Sequence, residues 1–265
     1  RRRDRAGQTP FDPLYTEADA LAAWRQSRPV ELETWFEPVP GFRARLWNAG
    51  HILGSASVEL ESGGVRILCS GDLGPEYKAF PPDPEGPAGF DHLICESTYG
   101  DRKRDHMTLE VRRSILETEI RSALARGGNL VIPVFALERT QELLLDMAML
   151  IRSKRIPAVP VFIDSPLAER ATRIFSRYAD TLEDLEAGDI FSDAAFHFVG
   201  DVAESIRLNN LTGAVILAAS GMCEAGRIRH HLRYNLDRPE CAIVIVGFQA
   251  AGTLGRRLVD GARVV

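Results

Sequence analysis

The chain has 265 residues, a formal net charge of −5 and an apolar fraction of 45%, which suits one large globular domain or two of ordinary size. The acidic balance argues against a protein that coats nucleic acid without selectivity, although it leaves room for a local basic cleft. No apolar run approaches the length of a membrane span, so we expect no membrane partner and a cytoplasmic location.

The first hundred residues are predicted to form mainly strands. Thr16–Arg25 has the pattern of a short helix, and Glu33–Trp47 contains strand segments interrupted by prolines. Val58–Leu60 and Val65–Leu68 are apolar strands separated by a Glu-Ser-Gly-Gly turn, which predicts an antiparallel hairpin. Asp91–Cys95 is a further apolar strand.

Three polar residues flank these predicted strands. His51 precedes the first hairpin strand and Asp72 follows the second, so strand pairing brings both to one sheet edge. If the Asp91–Cys95 strand runs parallel to the second hairpin strand, Glu96 reaches the same edge. Imidazole and carboxylate ligands together suit zinc or a similar divalent ion. Each residue also has a purely structural alternative, as a hydrogen-bonded loop histidine, a turn-forming aspartate or a cap.

Strands and helices alternate after about residue 105. The strands are short and uniformly apolar, and the helices between them are amphipathic, which predicts an α/β unit with a parallel sheet covered on both faces. The predicted strands are Asn129–Phe135, Val159–Ile163, Phe196–Val199, Ala214–Ala218 and Ala242–Gly247, and the predicted helices are Leu109–Arg126, Glu138–Ile151, Leu167–Arg177, Val202–Asn209 and Glu224–Tyr234.

The carboxyl ends of such strands are the usual place for ligands. Ser220 and Gly221 follow one strand, and Arg227 lies near the N-terminus of the next predicted helix, so a hydroxyl, glycine amides and a guanidinium are available to bind phosphate. Ordinary loop chemistry is the alternative for these residues. Asp164 and Ser165 precede a proline and suit either a ligand site or a helix N-cap.

Seven motifs occur in order between Asp12 and Gly261: AGHILGSA, SGDLG, ESTYG, NLVIPVFALERTQELL, VFIDSPLA, ILAASGMCEAGR and VGFQAAGTLGRRL. Together they resemble the β-CASP branch of the metallo-β-lactamase fold, which includes ribonuclease J and the endonuclease subunit of the mRNA cleavage and polyadenylation factor. The resemblance implies an α/β fold in which residues 1–104 form part of the αββα metallo-β-lactamase domain. Residues 105–262 would form the inserted parallel-sheet β-CASP domain.

The same resemblance implies a zinc-dependent hydrolase that cleaves RNA phosphodiester bonds through a metal-bridged hydroxide. In this scheme His51 is a zinc ligand, Asp72 bridges two zinc ions, and Glu96 orients a neighbouring histidine, so that Asp72 and Glu96 are the catalytic residues. Single-stranded RNA is the implied partner, and a homo-oligomer is a further possibility. The residues expected to contact the RNA phosphates are Ser220, Gly221 and Arg227.

Two family features do not occur in this sequence: the His-x-His-x-Asp-His cluster and the two later histidines that complete the site. We therefore expect that the chain is the middle segment of a longer protein and is inactive alone. A natural short protein without those ligands is one alternative, and a catalytically inactive β-CASP scaffold subunit is another. A hydrolase of a small ester or thioester is a third, which the large second α/β unit disfavours.

Overall fold

The computed structural model describes residues 13–75, 78–104, 106–179, 182 and 190–262. In chain order the elements are α1 (Glu17–Arg25), β1 (Phe36–Val39), β2 (Phe42–Asn48), β3 (Ala56–Ser62), β4 (Val65–Cys69), β5 (His92–Ile94), α2 (Leu109–Ala125), β6 (Leu130–Pro133), α3 (Arg139–Arg152), β7 (Val161–Asp164), α4 (Pro166–Arg177), β8 (Phe196–Phe198), α5 (Val202–Arg207), β9 (Val215–Ala218), α6 (Ile228–Asn235), β10 (Ala242–Ile243) and α7 (Leu254–Val259). The strands form two five-stranded sheets, ordered β1-β2-β3-β4-β5 and β10-β6-β9-β7-β8.

The first sheet contains the predicted hairpin. β3 and β4 are antiparallel, with Val58 opposite Cys69 and Ser62 opposite Val65, and β5 runs parallel to β4. Both predictions are therefore confirmed. One face of this sheet buries the Glu59 carboxylate, which accepts hydrogen bonds from Arg45, Arg66 and Trp47. Buried charge is tolerated there because each carboxylate oxygen has a cationic partner.

The second sheet is parallel throughout and confirms the predicted α/β fold class. Its core lies mainly between the sheet and α2, α3 and α4, where large apolar side chains such as Ile120, Leu144 and Phe175 are buried. Ile228 and Leu232 of α6 cover the other face. This arrangement explains why all four residues of β6 and of β9 are buried, as expected for strands with helices on both faces.

Several predicted elements are shorter than expected; β6, for example, spans Leu130–Pro133 and not Asn129–Phe135. α6 begins at Ile228, not Glu224, because Gly226 has φ +80° and interrupts right-handed helical geometry. β10 pairs with β6 only through Ala242 and Ile243, although the apolar run continues to Gly247. The α4 region matches the capping alternative: Ser165 is the N-cap and accepts from the Ala168 amide, and a proline occupies the first turn.

The segment after β4 packs into the core of the second unit. Phe80 is fully buried, and its ring lies 5.7 Å from that of Phe175 and 6.1 Å from that of Phe191. Leu53, from the loop between β2 and β3, packs on the same core. The two halves of the chain are therefore joined by apolar packing close to the loops that contain His51 and Asp72.

Residues 1–12 lie outside the described residues. The domain boundary between residues 104 and 105 stays a prediction. None of the helices in the described ranges has the length and apolar character needed to cross a membrane.

Candidate metal site and active site

His51 and Asp72 lie side by side at one edge of the first sheet. Nε2 of His51 is 3.9 Å from Oδ2 of Asp72, and their side chains are 42% and 76% exposed. The hairpin produces this proximity because the two residues precede β3 and follow β4. The pair is accessible to solvent and to a ligand, and it combines the imidazole and carboxylate that the sequence predicted at this edge.

Close backbone packing holds the two loops together. Ser55 Oγ accepts hydrogen bonds from the amides of His51 (3.0 Å) and Ile52 (3.1 Å). The Gly74 amide donates to the Ala49 carbonyl at 2.8 Å. A Cβ atom on Gly74 would lie 1.8 Å from the Gly50 carbonyl oxygen, so only glycine permits this approach. The loop of His51 is thus held against the loop of Asp72 by backbone contacts that require glycine.

Glu96 contacts the residue that follows Asp72 and organises the same edge. Its carboxylate accepts from the amides of Leu73 and Thr98, both at 3.0 Å, while its own amide donates to Ser70 Oγ. The hydrogen bonds from Thr98, then that from Leu73, and the nearby His51 lower the pKa of the Glu96 carboxyl despite partial desolvation. Glu96 is therefore ionised at neutral pH, with its two oxygens turned toward backbone amides.

The donor set fits part of a metal site. An imidazole nitrogen and a carboxylate oxygen are ordinary zinc ligands, and here they are adjacent and exposed. Across the described ranges, no group of three or more histidine, cysteine, aspartate or glutamate side chains converges closely enough to hold a metal ion. His51 and Asp72 therefore suit two positions of a site whose stable form has three or four protein ligands.

Sequence reasoning placed Glu138 at a strand end that is a candidate for ligand binding, but it did not predict that this residue contacts the His51 loop. Glu138 precedes α3, and its buried carboxylate lies 3.3 Å from the Leu53 amide and 3.2 Å from Lys78 Nζ. The available sequence signal was its position just beyond the end of a predicted parallel strand. That position alone does not indicate a contact with a loop 85 residues earlier.

The loop expected to bind phosphate is engaged in internal contacts. Nη1 of Arg227 pairs with Asp164 and donates to the Val199 carbonyl. Gly221 is buried, and a Cβ there would lie 2.7 Å from the Phe135 ring. The Ser220 amide donates to Ala225. No hydrogen bond or ion pair recorded for the described residues joins this loop to the His51–Asp72 pair, and its phosphate role stays a prediction.

Asp164 is the centre of a buried polar cluster that includes Arg227. Its carboxylate accepts from Ser205 Oγ at 2.6 Å and lies 2.6 Å from His231 Nε2. Burial acts to raise the pKa of the Asp164 carboxyl, but hydrogen bonds from His231, Ser205 and Arg227 outweigh it and lower the pKa. The cluster ties β7, α5 and α6 together, so Arg227 stabilises the fold at this point.

Known proteins give an independent comparison. Residues 140–258 match the Beta-Casp domain. The chain is 34% identical to Ribonuclease TTHA0252 of Thermus thermophilus, with 94% of this chain and 58% of that protein covered. It is 36% identical to an RNase J-like protein of Methanocaldococcus jannaschii (83% and 52% covered) and 29% identical to Endoribonuclease YSH1 of Yarrowia lipolytica (94% and 31% covered).

The chain thus spans between about a third and three-fifths of the length of these relatives. The match to the domain model lies within the parallel-sheet unit, and the alignment with the first relative covers 94% of this chain. The motifs, the fold and the comparisons agree: residues 140–258 form a Beta-Casp domain, and the chain resembles the β-CASP family of proteins with a metallo-β-lactamase fold over most of its length.

Proposed function

We propose that this chain is part of a metal-dependent hydrolase that cleaves phosphodiester bonds of RNA. The observation that carries the proposal is the exposed His51–Asp72 pair, 3.9 Å apart at a sheet edge, in a chain that resembles this family. The resemblance implies dependence on a metal ion. The names ribonuclease and endoribonuclease given to the relatives support RNA as the substrate.

We propose zinc as the metal, with two ions in the natural protein that contains this chain. His51 and Asp72 would hold it, together with ligands from other residues. When bound, zinc acts as a Lewis acid that stabilises the negative charge developing on phosphoryl oxygens.

Hydrogen bonds within this chain hold the two loops that contain His51 and Asp72 in place. The Ser55 hydroxyl accepts from the His51 amide, and the Gly74 amide holds the loop of His51 against the loop of Asp72. Glu96 uses its carboxylate to hold the loop that follows Asp72, through the Leu73 amide. A carboxylate has about four lone-pair sites, so Glu96 retains capacity to accept one more hydrogen bond and orient a histidine, as metal sites commonly require.

RNA contact by the second unit is also a proposal. Ser220, Gly221 and Arg227 are the candidates for binding the RNA backbone. Nη1 of Arg227 is engaged with Asp164, so a phosphate would have to be bound by the other guanidinium nitrogens. A partly exposed arginine, here 21% exposed, can form a forked contact while one nitrogen stays paired.

The test uses the natural protein that contains this chain, with single-stranded RNA and added zinc. Asp72→Asn keeps the side-chain shape but removes the charge, and we expect RNA cleavage to fall by at least about a hundredfold. Asp237→Asn, at an exposed aspartate in the second unit, is the control and should keep wild-type activity. Undiminished cleavage by Asp72→Asn would remove Asp72 from the site.

Two other outcomes correspond to the alternative functions. Wild-type protein that binds RNA but cleaves neither RNA nor ester substrates would indicate a scaffold subunit. Cleavage of a thioester substrate without cleavage of RNA would indicate a small-molecule hydrolase. Either result contradicts the proposed ribonuclease function.

A further inference from the structure

Glu138 connects the second unit to both loops of the candidate metal site. It lies between β6 and α3 and is buried. Oε2 accepts from the amide of Leu53, two residues after His51, at 3.3 Å. Oε1 lies 3.2 Å from Nζ of Lys78, which belongs to the segment that follows Asp72. One carboxylate thus contacts the continuation of each loop that supplies a candidate ligand.

The backbone at Glu138 is strained. A contact of its side chain is therefore needed to explain why glutamate, and not glycine, occupies this position. Glu138 has φ +67° and ψ −65°, and the amide of Arg139 donates to the carbonyl of Leu137 at 2.9 Å. This is a γ-turn with positive φ, a rare and strained geometry for a residue with a Cβ. Glycine would adopt it freely. The Glu138 side chain makes no capping hydrogen bond to α3, so helix capping does not account for glutamate.

The Glu138–Lys78 pair is a desolvated charge pair. Burial raises the pKa of the Glu138 carboxyl, and Lys78 opposes this shift only in part. Burial likewise lowers the pKa of Lys78, against the attraction of Glu138 and Glu142. Removing one partner of such a pair is costly because the other charge stays buried. The contact therefore favours a single position of the segment that contains Lys78.

We propose that Glu138 is a positioning residue that sets the His51 and Asp72 loops relative to each other from the second unit. The Leu53 hydrogen bond holds the His51 loop, and the Lys78 pair holds the segment after Asp72. The consequence for metal binding and RNA cleavage rests on the proposed function. The link between Glu138 and the His51 loop does not depend on it.

The test compares two variants of Glu138 with a matched control in the natural protein that contains this chain. Glu138→Gly removes the carboxylate and relieves the backbone strain, so failure to fold through strain is avoided. Glu138→Gln keeps an acceptor oxygen for Leu53. Asp146→Asn is the control, because Asp146 is also a buried acid, it lies on α3, and its ion pairs are with Arg112 and Arg113 of α2.

Three readouts are measured: hydrogen exchange at the Leu53 amide, zinc affinity by competition with a chelator, and kcat and KM for RNA cleavage. In Glu138→Gly we expect Leu53 exchange to rise and zinc affinity to fall, each by about tenfold or more. We expect kcat to fall while KM changes little. Glu138→Gln should restore slow Leu53 exchange, and Asp146→Asn should change neither Leu53 exchange nor zinc affinity.

Wild-type Leu53 exchange and zinc affinity in Glu138→Gly would overturn the inference. The same effects in Asp146→Asn would also overturn it, because the change would then reflect general loosening of α3. If the wild-type protein neither binds zinc nor cleaves RNA, the proposed function fails, and Leu53 exchange still decides whether Glu138 holds the His51 loop.

Discussion

Replacing Asp164 by asparagine should destabilise the second unit substantially. The Asp164 side chain is fully buried and pairs with Arg227 and His231, while Ser205 donates to the same carboxylate. Asparagine keeps the shape of the side chain and one acceptor oxygen. Its NH2 group, however, replaces the second carboxylate oxygen and faces the hydrogen-bond donors that surround Asp164. Losing one partner of a buried ion pair costs about 3–5 kcal/mol.

The retained oxygen and the partial exposure of Arg227, whose side chain is 21% exposed, reduce the expected loss of Asp164→Asn to about 2–3 kcal/mol. For a chain of this size, that loss corresponds to a Tm lower by about 4–12 °C. Circular dichroism during thermal and urea unfolding measures both quantities. Asp201→Asn is the control, because Asp201 is an N-cap and asparagine caps helices equally well.

The pH dependence of the same variant gives a second check. Because the pKa of Asp164 is lowered in the folded state, its stabilisation is fully present above the unfolded-state pKa of about 3.9 and is lost as the pH falls through the folded-state pKa. The stability difference between wild type and Asp164→Asn should therefore be largest near neutral pH and shrink below about pH 4. A Tm difference under about 2 °C at pH 7 would refute the reasoning.

Two further substitutions test the packing around the candidate site. Gly74→Ala places a Cβ 1.8 Å from the Gly50 carbonyl oxygen. We therefore expect the free energy of unfolding, measured in urea, to fall by about 2 kcal/mol or more, and zinc binding to weaken. An unchanged free energy of unfolding would contradict the close contact between the loops. Lys78→Met leaves Glu138 buried without its cation and should cost about 3 kcal/mol, whereas adding Glu138→Leu to Lys78→Met should recover much of that loss. A double variant no more stable than Lys78→Met would show that the charge pair is not the source of the effect.

The approach of His51 to Asp72 could be predicted because it depends on local information. The turn at Gly63 and Gly64 and the strands on either side of it fix the hairpin register, and the register determines which flanking loops are opposite each other. The position of Glu96 at the same edge could be predicted in the same way, from the parallel pairing of one further strand with the hairpin. The strands of the second sheet were also predictable, because strands buried on both faces are uniformly apolar, whereas helix α7 was not predicted.

The remaining features depend on contacts between distant residues that no local pattern encodes. Arg227 has the spacing of a phosphate-binding residue, but its partner Asp164 is 63 residues away in sequence. Glu138 has the pattern of a helix start, and only the folded chain shows its positive φ and its contact with Leu53. β10 ends at Ile243 although its neighbour β6 continues to Pro133, and the apolar run that extends to Gly247 did not indicate this end.

The most direct test of the account is zinc binding by the natural protein that contains this chain. Equilibrium dialysis should compare wild type with a His51→Ala, Asp72→Asn double variant, with Asp237→Asn as the control. We predict that the double variant binds zinc at least about a hundredfold more weakly, because both candidate ligands are removed. Wild-type zinc affinity and stoichiometry in the double variant would contradict the assignment of this sheet edge as the metal site.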